Sequence, residues 1–436
     1  MMIPLRCSLA AQEVLPVNLC SKDSILYWLR EYAVPAVGIG IIEDSKIKEL
    51  EVFGELEKDV PAPDNTIFNI ASQTKPVIAM LTLKLTEDGL WDLDEPLSRY
   101  WIDPDVMNDT LHNLLTTRHV LSHQTGFSNW RINEPSGKLR FNFVPGTEFQ
   151  YSGEGFEYLR RAMENKFDTS LNTLLESELF EPLGMKGTQY WGDDLDINRF
   201  ARWHDARGEI YPVSYQTGIS AADDLLTTVE DYCILGIDVM NGGGLSPELF
   251  KELISPQSTV KENSYYGLGW GLIRDLSNGE YALHHGGSDM GVRNMAIFLP
   301  ESKRGIVIMT NGDMGMFVYN NIIKASLDAG EEILNIINQS QDSPQRIFLP
   351  VELIDRYVGE YQQANGRFIR VAREGNSIKV SGDGIPTAIL YPQSENKFFL
   401  QDFDVRIEFV KTTLDIPMHL IIYENGKQVM DIQRTE

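Results

Sequence analysis

Four Ser-x-x-Lys tetrads occur in the chain, at Ser45/Lys48, Ser72/Lys75, Ser258/Lys261 and Ser394/Lys397. On a helix, positions i and i+3 share a face, so the amine of such a pair reaches the hydroxyl. Only Ser72 follows a short apolar lead, Ile67-Phe68-Asn69-Ile70-Ala71, and opens a long apolar helical pattern, with Pro76 tolerated in the first turn. That context places Ser72 at a helix N-terminus, where unpaired backbone N–H groups favour the negative charge an acyl-transfer nucleophile develops. An N-cap serine would leave the same trace. Lys75 can take the serine proton only as a neutral amine, a form that burial or a nearby cation favours. A solvated or paired lysine is the plain alternative.

A second proton carrier is needed, and Tyr151 is a candidate. It lies in PGTEFQYSGEG (145–155), after a Pro-Gly turn and before a helical run, where a tyrosine is displayed at an edge; a packing tyrosine is the alternative. His284-His285-Gly286-Gly287-Ser288 follows a strand-like run. Glycines there let backbone approach a bound ligand, and an exposed strand N–H could supply an oxyanion donor; the alternative is a Gly-rich turn with a solvent histidine. His119 and His123 have the i, i+4 spacing that can bring two imidazoles to one metal. No glutamate follows His119 and no third ligand is near, so a structural pair is expected, with no metal or organic cofactor.

These residues need a scaffold, and the patterning supplies one. Residues 23–33 carry apolar positions at helical spacing, and 35–43 and 48–56 read as two strands joined by a charged turn. Helical patterns dominate from Ser72 to about Gly187, in segments 75–90, 112–123, 155–167 and 171–185, with another at 228–243. Short β-like runs return at 266–273, 281–285, 295–300 and 304–312, followed by a helix near 317–338. Strands at both ends with helices between indicate one sheet closed by distant segments, plus a helical insertion over about 76–200. The polar stretch NQSQDSPQR (338–346) reads as a linker, giving a division into 1–337, a linker at 338–349 and a domain at 350–436. Eight short runs rich in β-branched and aromatic residues fill the last part, separated by turns, as in a small antiparallel barrel or sandwich.

The whole chain sets bounds on function. Its 436 residues, 42% apolar, can bury large cores, and 38 Lys+Arg against 63 Asp+Glu give a formal charge of −25. Phosphate backbones and anionic lipid surfaces are repelled, so nucleic acid is not an expected partner. No apolar run is long enough for a membrane span, and the first residues lack a clear secretory h-region. Three cysteines, Cys7, Cys20 and Cys233, make no disulfide framework; a Cys7–Cys20 bridge is the one alternative to free thiols.

Taken in order, VPAVGIGIIED (34–44), Ser72-Gln73-Thr74-Lys75, TTRHVLSHQTGF (116–127), PGTEFQYSGEGFEYL (145–159), LFEPLGM (179–185), DLLTTVEDY (224–232), YGLGWGL (266–272), HHGGS (284–288) and IVIMTNGD (306–313) resemble one family. It is the serine β-lactamase-like, penicillin-recognising hydrolases, nearest to class C β-lactamases, D-alanyl-D-alanine carboxypeptidases and related esterases. The resemblance covers about residues 22–335. It implies an α+β fold of the β-lactamase/transpeptidase type, an antiparallel sheet flanked by helices, followed by a small all-β, lipocalin-like barrel that shapes or covers the active-site edge.

The resemblance also implies roles. Ser72 is the acylated nucleophile, Lys75 and Tyr151 share the acid/base work, and the backbone N–H groups of Ser72 and Ser288 form the oxyanion hole. His285, Gly286 and Gly287 match the family's third motif and face substrate, while the histidines of the 116–127 segment are structural. At the substrate-facing position where the family's Tyr-x-Asn motif has its asparagine, this chain has Gly153, so the donor that grips an amide side chain is missing. The implied activity is a cofactor-free serine hydrolase acting on an ester, amide or D-amino-acid peptide, at an extracytoplasmic location. The alternative is a catalytically weak penicillin-recognising sensor. Oligomeric state is left open.

Overall fold

The computed structural model describes residues 17–435 apart from 213–217, 339–346, 363–365, 367, 383–384, 401–404, 412–416 and 425–426. Helix α1 (Lys22–Glu31) leads into strands β1 (Ala36–Glu43), β2 (Lys46–Glu57), β3 (Val60–Pro61) and β4 (Phe68–Asn69), and then helix α2 (Thr74–Glu87). The helical stretch contains α3 (Thr117–Leu121), α4 (Gly153–Phe167), α5 (Leu171–Leu175) and α6 (Glu181–Leu183). Strand β5 (Leu226–Thr227) and helices α7 (Val229–Met240) and α8 (Pro247–Leu253) follow. Six strands come next: β6 (Ser258–Lys261), β7 (Ser264–Tyr266), β8 (Gly271–Ile273), β9 (Ala282–Asp289), β10 (Val292–Leu299) and β11 (Arg304–Thr310). Helices α9 (Gly315–Ser326) and α10 (Gly330–Asn338) complete this part.

The large sheet runs β3-β2-β1-β11-β10-β9-β8-β7-β6 and is antiparallel throughout. Its closure is long-range: Ile39 of β1 pairs with Ile308 of β11. The two faces of β1 differ because side chains alternate along a strand. Val37, Ile39 and Ile41 pack into one core with α1, α9 and α10. Gly38 and Gly40 face α7, where an added Cβ would lie 2.6 Å from Val229 and 2.3 Å from the Cys233 sulfur. A second core, containing α2, α4 and α7, fills that opposite face.

Two helical expectations break. The 112–123 pattern is not one helix: it divides into a 3-10 turn at Thr110–Asn113 and the five-residue α3, restarted by a capping box in which Thr116 and His119 exchange hydrogen bonds. The 317–338 helix divides at Leu327, whose backbone is extended. A Cβ on Gly330 would lie 2.4 Å from the Ile323 carbonyl oxygen, so the second helix starts against the first at a spacing a side chain would block.

After the short helix α11 (Val351–Asp355), the eight anticipated runs are the strands β12 (Gly359–Gln362), β13 (Phe368–Glu374), β14 (Ser377–Gly382), β15 (Ile385–Pro392), β16 (Lys397–Leu400), β17 (Val405–Lys411), β18 (Pro417–Glu424) and β19 (Lys427–Arg434). They form a closed antiparallel barrel, β19 returning to β12 through Tyr361 and Arg434. Side chains fill it, as expected of eight strands: Tyr357 stacks on Phe409 at 4.4 Å among Phe398, Ile369 and Leu420. Thr387, Ile389 and Tyr391 of β15 share a groove with Phe317, Asn321 and Lys324 of α9. That contact lies behind the sheet, on the face opposite α2, rather than at the edge of the Ser72 cleft.

Cys20 and Cys233 are free thiols, whereas Cys7 and most of the 338–346 stretch lie outside the described residues. Among the described residues no helix is long and apolar enough to cross a membrane.

Candidate active site

The Ser72 turn is assembled from polar contacts. Pairing of β4 with β5 brings Asn69 opposite Leu226, and a 3-10 turn at Ala71–Gln73 then leads into α2. Ala71 sits in left-handed backbone at φ 46°, an arrangement costing a non-glycine residue about 1–2 kcal/mol. It is held from both sides: its N–H donates to Asn69 Oδ1 at 2.7 Å, and Thr74 Oγ1 donates to its carbonyl at 2.7 Å. Neither the 3-10 turn nor α2 has a side-chain N-cap, so the capping alternative for Ser72 does not describe its hydroxyl. Lys75, 1% exposed, donates from Nζ to Ser72 Oγ at 3.0 Å and to the Ala222 carbonyl at 2.8 Å. Ser72 itself is part-exposed.

Tyr151 forms the facing wall. Ser152 caps α4, accepting from the Gly155 N–H at 3.0 Å, and thereby fixes the residue before it. The Tyr151 ring centroid lies 4.9 Å from Lys75 Nζ. Gly153 needs correction as a substrate contact. Its N–H donates to Asn129 Oδ1 at 2.9 Å, and a Cβ there would meet the Trp130 ring at 2.7 Å. The tryptophan occupies the space a longer residue would use.

Strand β9 makes the third wall. Gln73 Nε2 donates to the His285 carbonyl at 3.1 Å, and Asn294 Nδ2 on β10 donates to the Asn69 carbonyl at 3.0 Å. Gly287 permits the approach: a Cβ would lie 2.2 Å from the Ile70 carbonyl oxygen. Ser288, the next residue, is exposed at the strand end. Gly286 is the second correction. Its Cα faces Met295 on the far side of the sheet, and its carbonyl accepts from His285 Nδ1 at 2.7 Å, so it anchors the histidine instead of facing the cleft. His285 is 3% exposed and forms the cleft floor, with Nε2 3.5 Å from the Tyr266 hydroxyl. Burial, reinforced by the Lys75 charge, pushes its pKa down to about 3, so the ring is neutral near neutrality.

The remaining side is acidic. Asp223 and Asp224 follow Ala222, the acceptor of Lys75, and Asp289 follows Ser288; carboxylate oxygens of the three lie within 4.8 Å of one another. Burial, with repulsion from Asp224 and Asp289, raises Asp223 to about 7, and burial with Asp289 raises Asp224 to about 6. These three are the grouping among the described residues whose ligand atoms converge enough to hold a metal ion. His119 and His123 do not converge: His119 Nδ1 serves the α3 capping box, and His123 is buried against Tyr151.

Sequence reasoning missed Gln73, Asn69 and Asn294 as the ties between the turn and the sheet, and Asp223, Asp224 and Asp289 as one pole. The adjacent Asp223-Asp224 pair inside an apolar run was the available signal.

Residues 23–329 match the family described as Beta-lactamase. Over 425 residues the chain is 25% identical to Penicillin-binding protein 4* of Bacillus subtilis (strain 168), covering 86% of this chain and 89% of that one. The structure of the octameric penicillin-binding protein homologue from Pyrococcus abyssi superposes with a TM-score of 0.63 at 19% identity, covering 95% of each chain, so the likeness of fold extends into the barrel. The D-alanine carboxypeptidase AmpC from Burkholderia cenocepacia superposes with a TM-score of 0.58 at 19% identity, covering 70% of this chain and 98% of that one. Since the family match runs from α1 through α9 and takes in the whole large sheet, the chain belongs to the β-lactamase family.

Proposed function

We propose that the chain is a serine hydrolase that works through an acyl-Ser72 intermediate. The observation that carries the reading is the 3.0 Å hydrogen bond from buried Lys75 to Ser72 Oγ, on a strained turn beside β9. Lys75 first gives up its own proton to solvent; Ser72 Oγ then attacks the acyl carbonyl while its proton passes to the amine, and Tyr151 relays a proton to the leaving nitrogen or oxygen. The backbone N–H groups of Ser72 and Ser288 receive the oxyanion. Water then attacks the acyl carbonyl, and the serine recovers its proton as the acid is released. No cofactor takes part in this scheme.

Charge narrows the substrate class. A neutral His285 offers no cation to a substrate carboxylate, and Asp223, Asp224 and Asp289 repel one. Esters and amides that are neutral or bear an ammonium group fit this cleft better than peptides ending in a free carboxylate. Without an asparagine at 153, acylamino β-lactams lose a specific grip. We also propose the division at 1–337, 338–349 and 350–436, supported by the end of α10 at Asn338, the start of α11 at Val351 and the separate barrel core. The family resemblance supports an extracytoplasmic location.

A panel of p-nitrophenyl esters, D-amino-acid amides, D-Ala-D-Ala peptides and nitrocefin tests the reading, alongside fluorophosphonate labelling of wild type and Ser72→Ala. Steady turnover of esters or amides ahead of the carboxylate peptides, with labelling abolished in the variant, is expected. Equal labelling of Ser72→Ala would sink the nucleophile assignment. One stoichiometric acylation without a steady state would replace the hydrolase by a sensor.

A further inference from the structure

His123 is not used in the scheme above, yet it holds Tyr151 and both of its neighbours. Its carbonyl accepts the Gln150 N–H at 2.8 Å, and its Nδ1 accepts the Ser152 N–H at 3.1 Å, so it grips the residues on both sides of the tyrosine. Its ring also stacks on the Tyr151 ring, with centroids 4.2 Å apart and planes inclined 30°. Tyr266 closes the other direction edge-on at 4.7 Å.

Nothing about this arrangement is the cheapest way to fill a core. His123 is 1% exposed and stands in left-handed backbone at φ 55°. Because Nδ1 is an acceptor, the proton of the neutral ring is on Nε2, and that buried N–H has no hydrogen-bond partner among the described residues. Burial, with the charge of Lys75, holds the ring far from protonation, and the Ser152 N–H at Nδ1 selects this tautomer of the neutral ring. Phenylalanine or leucine would fill the volume without an orphaned donor. What imidazole adds is a flat face against Tyr151 together with an in-plane acceptor for the next N–H.

We propose that His123 is a positioning residue for Tyr151, fixing the tyrosine's main chain and ring plane so that its hydroxyl is held for proton transfer. The inference rests on the acid/base reading of Tyr151, which is tested separately within the same experiment. A double-mutant cycle on p-nitrophenyl ester hydrolysis reads it, with rates normalised to the fraction of sites that fluorophosphonate titrates, so that misfolded protein does not count. His123→Leu should lower kcat at least about tenfold with KM changed less than about twofold, and His123→Asn, which restores an acceptor near Nδ1, should recover part of the loss. In a Tyr151→Phe background the same His123→Leu change should alter kcat less than about twofold, because the group it positions is already gone. Losses that multiply in the two backgrounds would show a general structural role and overturn the proposal.

A spectroscopic arm separates the two claims. With 3-fluorotyrosine at position 151, wild type should give one narrow fluorine line, and His123→Leu a shifted and broadened one. An unchanged line in His123→Leu would overturn the proposal whatever the kinetics. A Tyr151→Phe enzyme at the wild-type rate, with a line that still depends on His123, would instead sink the proton-transfer reading alone.

Discussion

The barrel and the Ser72 cleft treat buried polar groups differently. In the barrel, the Tyr357 hydroxyl donates to the Glu395 carbonyl at 2.7 Å and the Tyr361 hydroxyl to the Tyr357 carbonyl at 2.9 Å, with aromatic rings packed around both. In the cleft, Ala71, His123 and Asp224 stand in left-handed backbone, the His123 Nε2 is unpartnered, and three carboxylates crowd within 4.8 Å. The first region is arranged for its own stability; the second gives stability up, as the proposed catalytic role of its groups would require. Such a difference is expected where a rigid scaffold supports a preorganised site.

Three changes probe that difference, in falling order of effect. Gly287→Val forces a side chain against the Ile70 carbonyl and separates β9 from the Ser72 turn; ester turnover should fall about 10²-fold or more. A rate within threefold of wild type would mean that the tight approach does not matter to the chemistry. Asp223→Asn should stabilise the protein. Because Asp223 is raised to about 7 in the folded state, its ionised form is penalised there, and the penalty grows as pH rises from about 4 through 7. The variant should therefore gain up to about 4 kcal/mol over wild type at pH 8 and almost nothing near pH 4, measured by denaturant unfolding. A gain independent of pH would remove charge repulsion as the cause. Tyr357→Phe should cost the barrel about 1 kcal/mol and leave ester turnover within twofold. A matching loss of turnover would erase the distinction between the two regions.

The same contrast explains what could be read in advance. The eight barrel strands were legible because each run alternates or is β-rich and ends in turn residues, so local pattern and final structure agree. Strands β1 and β2 and helices α1, α2, α4 and α7 were visible for the same reason. Ser72 and Lys75 were visible because one helical turn joins them. Gly286 was misread because adjacent strand residues face opposite ways, and the motif alone does not give the parity. The acidic pole was hidden because Asp223 and Asp289 meet only through the packing of β5 and β9 around the turn. His123 was legible only as a structural histidine, because its partner, Tyr151, is distant in sequence. The break at Leu327 left no mark, since both flanking segments carry good helical periodicity.

The pairing of Ile39 with Ile308 has a consequence for biosynthesis. A ribosome extrudes β1 long before β11 exists, so an apolar strand with an unsatisfied edge must wait for most of the chain to emerge. During that interval the nascent polypeptide presents Val37-Gly38-Ile39-Gly40-Ile41 as a template for unwanted pairing, and products truncated before residue 304 never cover it. Covering that edge of β1 thus waits for β11, and the strands of the barrel are synthesised only after it.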